Sequence, residues 1–368
     1  MSDKKDLIAN LSPEKRAELL AKLSKNKKAE IEIDFSENFE YKFASENPFD
    51  IKPSNTSIDN PGPDCIQIVA KASSLNFRDV MIASKQYPSS PGVPANMGSD
   101  YSGIVVKVGE NIKDFKAGDE VIAIHVGHME NDGTIRDNCH FIKIFNIHKF
   151  SVCLKPKNLT FIEACCIPTV FLTSYIGLVK LANLAKNENV LIHTASGGVG
   201  LSAVQIAKWK DANIYATAGT EEKRTHLKQY GIEKIYNSRT TEFAELISND
   251  KNKIDVVLNT LSGDLMKESL KLLSPFGRFI HIDKKDIALN SPLDLSLFIN
   301  GISFQFLDIS LLFVKPDIMN NSLKEIVNLF EEEAFNPISH VVFPIQELKK
   351  AITIFSRGTH IGKIVLSY

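Results

Sequence analysis

Between residues 189 and 208 the apolar run Asn189-Val190-Leu191-Ile192-His193 leads through Thr194 into Ala195-Ser196-Gly197-Gly198-Val199-Gly200, and Leu201 to Lys208 follows with helical spacing. Few folds accept a strand, a tight glycine turn and a helix in immediate succession. The turn needs glycine where backbone must approach backbone or a ligand, and the helix start gathers unpaired N–H groups that attract phosphate. Gly197 is placed to admit a pyrophosphate and Gly200 to let helix and strand close together, with Ser196, Gly198 and Val199 completing the loop. Ala195 stands where the fingerprint has its first glycine. The segment is predicted to hold a dinucleotide.

The texture on either side of this loop differs. From about residue 31 to 155, short alternating segments such as Ile66 to Ala72 and Gly103 to Gly109 are punctuated by turn residues, the signature of an all-β region. Beyond residue 165, strands predicted at Ala212 to Thr217, Lys234 to Tyr236, Ile254 to Asn259 and Arg278 to Ile282 alternate with helical patterns. That alternation implies βαβ units and a parallel sheet. A helix near Leu323 to Glu333 and a last strand, Gly362 to Ser367, suggest a chain that returns to its first domain. At the other end, Ser12-Pro13-Glu14-Lys15 reads as the cap and first turn of a short helix with Leu19, Leu20 and Leu23 on one face.

Charge and cysteine content exclude several function classes. With 43 basic and 44 acidic side chains the formal charge is −1, which gives no field to gather a nucleic acid or an anionic membrane. The most apolar long stretch, Leu293 to Val314, is broken by Asp294, Asn300, Gln305 and Asp308 and fails as a membrane span. Cys65, Cys139, Cys153, Cys165 and Cys166 show neither disulfide nor zinc-lobe spacing. A polar start without an apolar signal core makes the cytoplasm the expected compartment.

The end of the second βαβ strand bears on the type of dinucleotide. An NAD site would carry Asp or Glu there to hold the ribose 2′-hydroxyl. Here Thr217-Ala218-Gly219-Thr220 is followed by Glu221-Glu222-Lys223-Arg224. The missing acid and the nearby base favour a 2′-phosphate and hence NADPH, with Lys223 and Arg239 as candidate phosphate partners.

Read together, Leu75-Asn76-Phe77-Arg78-Asp79-Val80, Tyr87-Pro88, Val170 to Tyr175, the loop through Gly200, Val257-Leu258-Asn259-Thr260-Leu261 and His360-Ile361-Gly362-Lys363-Ile364-Val365 occur in order. This series closely resembles the enoyl reductase domains of modular polyketide synthases and animal fatty acid synthase, zinc-independent members of the medium-chain dehydrogenase/reductase superfamily, over roughly residues 50 to 368. The resemblance implies an α/β fold: a GroES-like β-rich substrate domain with an inserted Rossmann domain, a doubly wound parallel sheet. The corresponding boundaries are 1–30 for a linker or docking helix, 31–172 for the substrate domain, 173–306 for the NADPH-binding domain and 307–368 for the return.

It also implies NADPH-dependent reduction of a trans-2-enoyl thioester on the phosphopantetheine arm of an acyl carrier protein, with other synthase domains or subunits as partners and a monomer or homodimer as the assembly. Tyr87, Lys284 and Asp308 match the positions of proton donor and supporting groups, although Asp283 and Lys285 depart from the family's glycine and apolar residue around that lysine. Asn76 and Thr173 match positions lining the nicotinamide pocket, and Asn259 a cofactor-binding strand end. Zinc relatives carry Cys and Gly-His-Glu motifs where this chain has Asn76 to Asp79 and Met97-Gly98-Ser99-Asp100, so no metal is expected. His193 reads as a core histidine. Two other functions fit parts of the pattern: a free-standing quinone oxidoreductase or enoyl-CoA reductase, and a non-catalytic NADPH-binding scaffold subunit of a synthase.

Overall fold

The computed structural model describes residues 37–88, 96–125, 128–129, 135–136, 140–249 and 253–368. The N-terminal helix expected from Ser12 onward, and the 1–30 boundary with it, lie outside them, as does Cys139. Residue contacts separate a short unit, residues 1–37, from a body, residues 38–368, that holds everything discussed below.

Near-continuous apolar runs such as Val190-Leu191-Ile192 and Val256-Val257-Leu258 suit strands covered on both faces. They form a six-stranded parallel sheet in the spatial order Lys234–Asn237, Asn213–Ala218, Asn189–Ile192, Ile254–Asn259, Leu273–His281, Ser303–Phe306. Strand order reverses between Asn189–Ile192 and Ile254–Asn259, which opens a crevice at their C-terminal ends. The glycine loop leaves the first of these strands and Asn259 ends the second, so both border that crevice.

The β-rich part is a seven-stranded sheet built on the long strand Cys65–Ser74, which pairs antiparallel with Asp100–Val108 and Ile144–His148. The last strand, Lys363–Ser367, also joins it antiparallel, with Val365 opposite Ser74. The chain therefore returns to its first domain after the parallel sheet is complete. One apolar core runs through both parts, from Ala72 and Ile122 through Phe171, Val190, Ile192 and Leu258 to Val365. The helix Pro316–Glu331 seals it with Met319, Leu323, Ile326, Val327 and Phe330, an apolar stripe at helical spacing. Among the described residues, no helix is long and apolar enough to cross a membrane.

Two tightly constrained positions brace the β-rich part and the chain that returns to it. Gly362 sits at φ +68°, and a β-carbon there would lie 1.8 Å from the Ser339 carbonyl oxygen, so only glycine fits. Asp79 is fully buried and accepts hydrogen bonds from Asn76 N (2.6 Å) and Gly98 N (2.9 Å), tying the helix Phe77–Ala83 to the turn before strand Asp100–Val108. Burial outweighs those bonds and pushes the Asp79 carboxyl up to about 6.

Gly362→Ala combines a left-handed backbone with a steric overlap and is expected to destabilise the protein by about 2–5 kcal/mol, read from denaturant unfolding. A wild-type midpoint would show that the backbone there is not constrained. For Asp79 the folded value exceeds the unfolded one, so its proton-linked stabilisation is complete below the unfolded value and is lost as pH rises through about 6. Asp79→Asn should flatten the pH dependence of the unfolding free energy between pH 4 and 6 by about 3 kcal/mol. Parallel curves for the two proteins would contradict this.

Candidate active site

The glycine loop is closed from the far side of the molecule. Gly200 packs on Ala195, whose Cα would lie 2.4 Å from an added β-carbon, and Gly198 faces the Lys363 side chain and Val170. Gly197, by contrast, has only the Thr194 carbonyl oxygen near, at 3.4 Å. It caps the helix Gly198–Trp209, whose first N–H groups have no acceptor within the helix. Ser196 accepts a hydrogen bond from Gly362 N (2.8 Å), so the returning strand is stitched to the loop. The open cradle at Gly197 and the helix N-terminus behind it fit a dinucleotide's pyrophosphate.

No carboxylate ends the second strand. Thr217 is buried, and its hydroxyl meets His193 Nδ1 (3.0 Å), while His193 Nε2 meets Ser269 Oγ (2.8 Å). His193 is thus a fully satisfied core residue, as its sequence position suggested. Lys223 donates to the Gly358 carbonyl at 2.7 Å, and the Arg239 guanidinium lies over Gly219, 2.8 Å from where a β-carbon would stand. Burial, and then the neighbouring Arg239 cation, holds the Lys223 ammonium below the ordinary lysine value. Two mutually repelling cations beside the crevice fit an anion between them.

Tyr87, Lys284 and Asp308 come together. Lys284 follows strand Leu273–His281 and Asp308 follows the adjacent strand Ser303–Phe306, while Tyr87 reaches them from the β-rich part beyond the helix Phe77–Ala83. Lys284 Nζ donates to Tyr87 Oη at 2.7 Å and lies 2.5 Å from Asp308 Oδ2. Its ammonium is also 4.9 Å from the Tyr87 ring centre, and the Arg78 guanidinium is 5.3 Å from it. Asp308 Oδ1 accepts from Ser310 N (3.0 Å), so the residue caps the following turn and pairs with Lys284 at once.

Burial disfavours the Lys284 charge, but the bonds to Asp308 and Tyr87 outweigh it and raise the ammonium above the usual lysine value. Burial of Asp308 is likewise outweighed by Lys284, and its carboxyl is lowered. The departures at Asp283 and Lys285 leave the pair intact, since Asp283 Oδ2 accepts from Lys285 N (3.1 Å) and Lys285 points to solvent.

Two expected cofactor contacts are differently engaged. Asn76 lies at the domain junction, but its Nδ2 donates to Asp100 Oδ2 (2.9 Å) and its Oδ1 accepts from Lys363 Nζ (2.6 Å), so its amide serves a buried network. Asn259 is fully buried, with Nδ2 donating to the Leu261 carbonyl (2.7 Å) and lying 2.8 Å from His281 Nδ1. Its Oδ1 also accepts from Leu261 N (3.3 Å), so the amide closes the turn after the strand. Thr173 donates to the Thr169 carbonyl one turn back (2.7 Å), and Thr169 in turn donates to Asp100 Oδ1.

The residues that sequence reading missed are Lys363 and Asp100, both buried and 3.1 Å apart. The available signal was a lysine in an otherwise apolar strand, Lys363-Ile364-Val365-Leu366, directly after an obligatory glycine.

Comparison with known proteins bears on the fold and the family. Residues 62–155 match the family described as "Alcohol dehydrogenase GroES-like domain", and residues 230–366 match "Zinc-binding dehydrogenase". The chain is 36% identical over 312 residues to the highly reducing polyketide synthase cm3B of Cordyceps militaris, covering 83% of this chain and 12% of that protein. It is 39% identical over 318 residues to the squalestatin tetraketide synthase of Phoma sp., covering 84% and 12% respectively. The chain thus spans about an eighth of the length of these two synthases. The solved structure of the CurK enoyl reductase is 30% identical with a TM-score of 0.79, over 90% of this chain and 99% of that one.

The zinc in one family description does not fit the residues here. Between Asn76 and Asp100 the Lys363 ammonium already supplies the cation, and among the described residues neither thiolate nor imidazole bonds to them. Among the described residues His281, Asp283 and Asp286 bring potential ligand atoms within 4.8 Å of one another. Yet the Asn259 amide, fixed by Leu261, donates to His281 Nδ1, which leaves the ring proton on Nε2 and no lone pair there for a metal. With the fold, the loop and these relatives in agreement, the chain belongs to the enoyl reductases of polyketide synthases, within the medium-chain dehydrogenase/reductase superfamily.

Proposed function

We propose that this chain reduces the trans-2 double bond of an enoyl thioester with NADPH, the thioester being carried on the phosphopantetheine arm of an acyl carrier protein within a polyketide synthase. The observation that carries the reading is the contact of Tyr87 with the Lys284–Asp308 pair at the mouth of the crevice. Bound NADPH would supply hydride from its nicotinamide C4 to Cβ of the substrate. That transfer leaves an enolate, which requires a cation or hydrogen-bond donor at its oxygen and a proton at Cα.

The chain's own residues suit the second half of the reaction. Because Lys284 donates to Tyr87 Oη, the phenol's own proton is turned away from the lysine and is available to Cα. The ammonium 2.7 Å away then stabilises the phenolate and can return a proton to it. Asp308 keeps Lys284 charged: the ammonium keeps its proton until pH rises beyond the usual lysine range, and Asp308 stays ionised until pH falls below the usual carboxylate range. Quinone reduction needs no proton delivered to carbon, so this assembly favours enoyl reduction, and a scaffold without activity would need none of it. Gly197 and the helix behind it would hold the pyrophosphate, with Lys223 and Arg239 taking the 2′-phosphate.

NADPH is expected to outperform NADH in kcat/KM, and Lys223→Glu should cut that preference roughly 10- to 100-fold through cofactor affinity, the range of a lost charge-assisted bond. Steady-state rates at sub-saturating cofactor check this, and equal rates with the two cofactors would refute it.

Lys284→Ala should slow reduction of carrier-bound crotonyl by about 10²-fold, the scale of a lost acid catalyst. Tyr87→Phe, which removes the donor itself, should slow the reaction on a comparable scale and also alter the configuration at Cα of an α-methyl product, and the double variant should be no faster than the slower of the two. Unchanged rate and stereochemistry in all three would move the proton source elsewhere.

A further inference from the structure

The segment Gly358 to Lys363 comes from the β-rich part yet lies along the cofactor side of the parallel-sheet part. At one end the Gly358 carbonyl holds Lys223 Nζ at 2.7 Å. At the other, Gly362 pairs with Gly197 of the glycine loop, and the Lys363 stem packs on Gly198. His360 sits between these anchors. Its ring rests on Phe355, with centres 4.3 Å apart, and its Nδ1 is buried without a hydrogen-bond partner among the described residues. A buried polar atom left unpaired is costly, and such an atom beside a ligand cleft marks a contact completed on binding.

Charge says which ligand. The charged groups acting on the ring are Lys223, from the helix Glu221–Lys228, and Lys363, from the terminal strand. Burial first, and then these two cations, hold the imidazole neutral, down to about 4. Lys363 is already paired with Asp100, so an anion placed between Lys223 and the ring would offset the one of these two cations that has no paired carboxylate among the described residues and give Nδ1 its partner.

We propose that His360 is a phosphate ligand for the bound dinucleotide and takes up a proton from solvent when that ligand binds. The proposal rests on the dinucleotide reading above. It makes the segment 358–363 the wall of the cofactor site that the substrate domain supplies. Proton uptake on binding means that affinity falls as pH rises through the bound-state value of the imidazole.

The test is calorimetric titration of the whole chain with NADPH, and separately NADH, in buffers of different ionisation enthalpy. Wild type is compared with His360→Gln, which keeps a hydrogen-bonding group but cannot charge. The comparison cancels the 2′-phosphate's own titration near pH 6. Wild type should take up more protons than the variant, and the wild-type-to-variant affinity ratio should fall by about tenfold or more from pH 5 to pH 7.

A difference with both dinucleotides assigns the contact to the pyrophosphate, and one with NADPH alone assigns it to the 2′-phosphate. Should the variant fold poorly, NMR titration of the wild-type His360 ring gives an independent reading, with its midpoint moving from about 4 to above 6 on binding. Tight binding with no proton difference and an unmoved midpoint overturns the proposal and leaves the cofactor reading standing. Failure of either dinucleotide to bind overturns both.

Discussion

A buried lysine holds this molecule together. Lys363 is 2% exposed and Asp100 fully buried, and their side chains meet at 3.1 Å across 263 residues of sequence. Two such charges are stable out of water only when every remaining lone pair and proton is used. Here the carboxylate is filled, since Asp100 also accepts from Asn76, Ser74 and Thr169, and the ammonium has a second acceptor in Asn76. The network gathers the central strand of the β-rich sheet, the start of its neighbour, the helix after Ile167 and the last strand of the chain. Removing one partner would leave the other charge buried and unpaired, which is why such pairs tolerate change poorly.

The geometry of the crevice follows from that network. Lys363 fixes the returning strand, Gly362 donates to the glycine loop, and the segment before it reaches Lys223. The β-rich part therefore reaches the glycine loop and Lys223, while the parallel-sheet part brings Lys284 and Asp308 to Tyr87. The shared apolar core that runs from Ala72 to Ile280 makes the arrangement rigid, because close packing resists sliding of one sheet against the other.

Electrostatics separate the two ends of the crevice. At the Tyr87 end a cation is matched by a carboxylate, so its charge state is constant through neutral pH. At the His360 end, Lys223 and Lys363 act on a neutral ring together, and burial lowers the stability of the charged forms. The first arrangement suits a group that must hold a proton steadily. The second suits a place where an anion arrives.

Much of this was legible in the amino-acid order. Local patterns determine local structure: the strand, glycine turn and helix around Gly200, the alternation that marks the β-rich part, and the missing acid after Thr217 all act within a few residues of one another. The terminal strand was readable for the same reason, and the family motifs placed Tyr87, Lys284 and Asp308 in one site. What the sequence alone could not decide is where polar side chains turn. Asn76 and Asn259 looked suited to a ligand, but burial committed the first amide to the distant Asp100 and Lys363 and the second to the neighbouring Leu261 and to His281. Lys363 and His360 both entered only as letters of the closing motif, His360 to Val365. Lys363 meets groups brought within about 3 Å from more than 260 residues away, and His360 feels Lys223 from a different domain, and only the closing of the tertiary structure sets such distances.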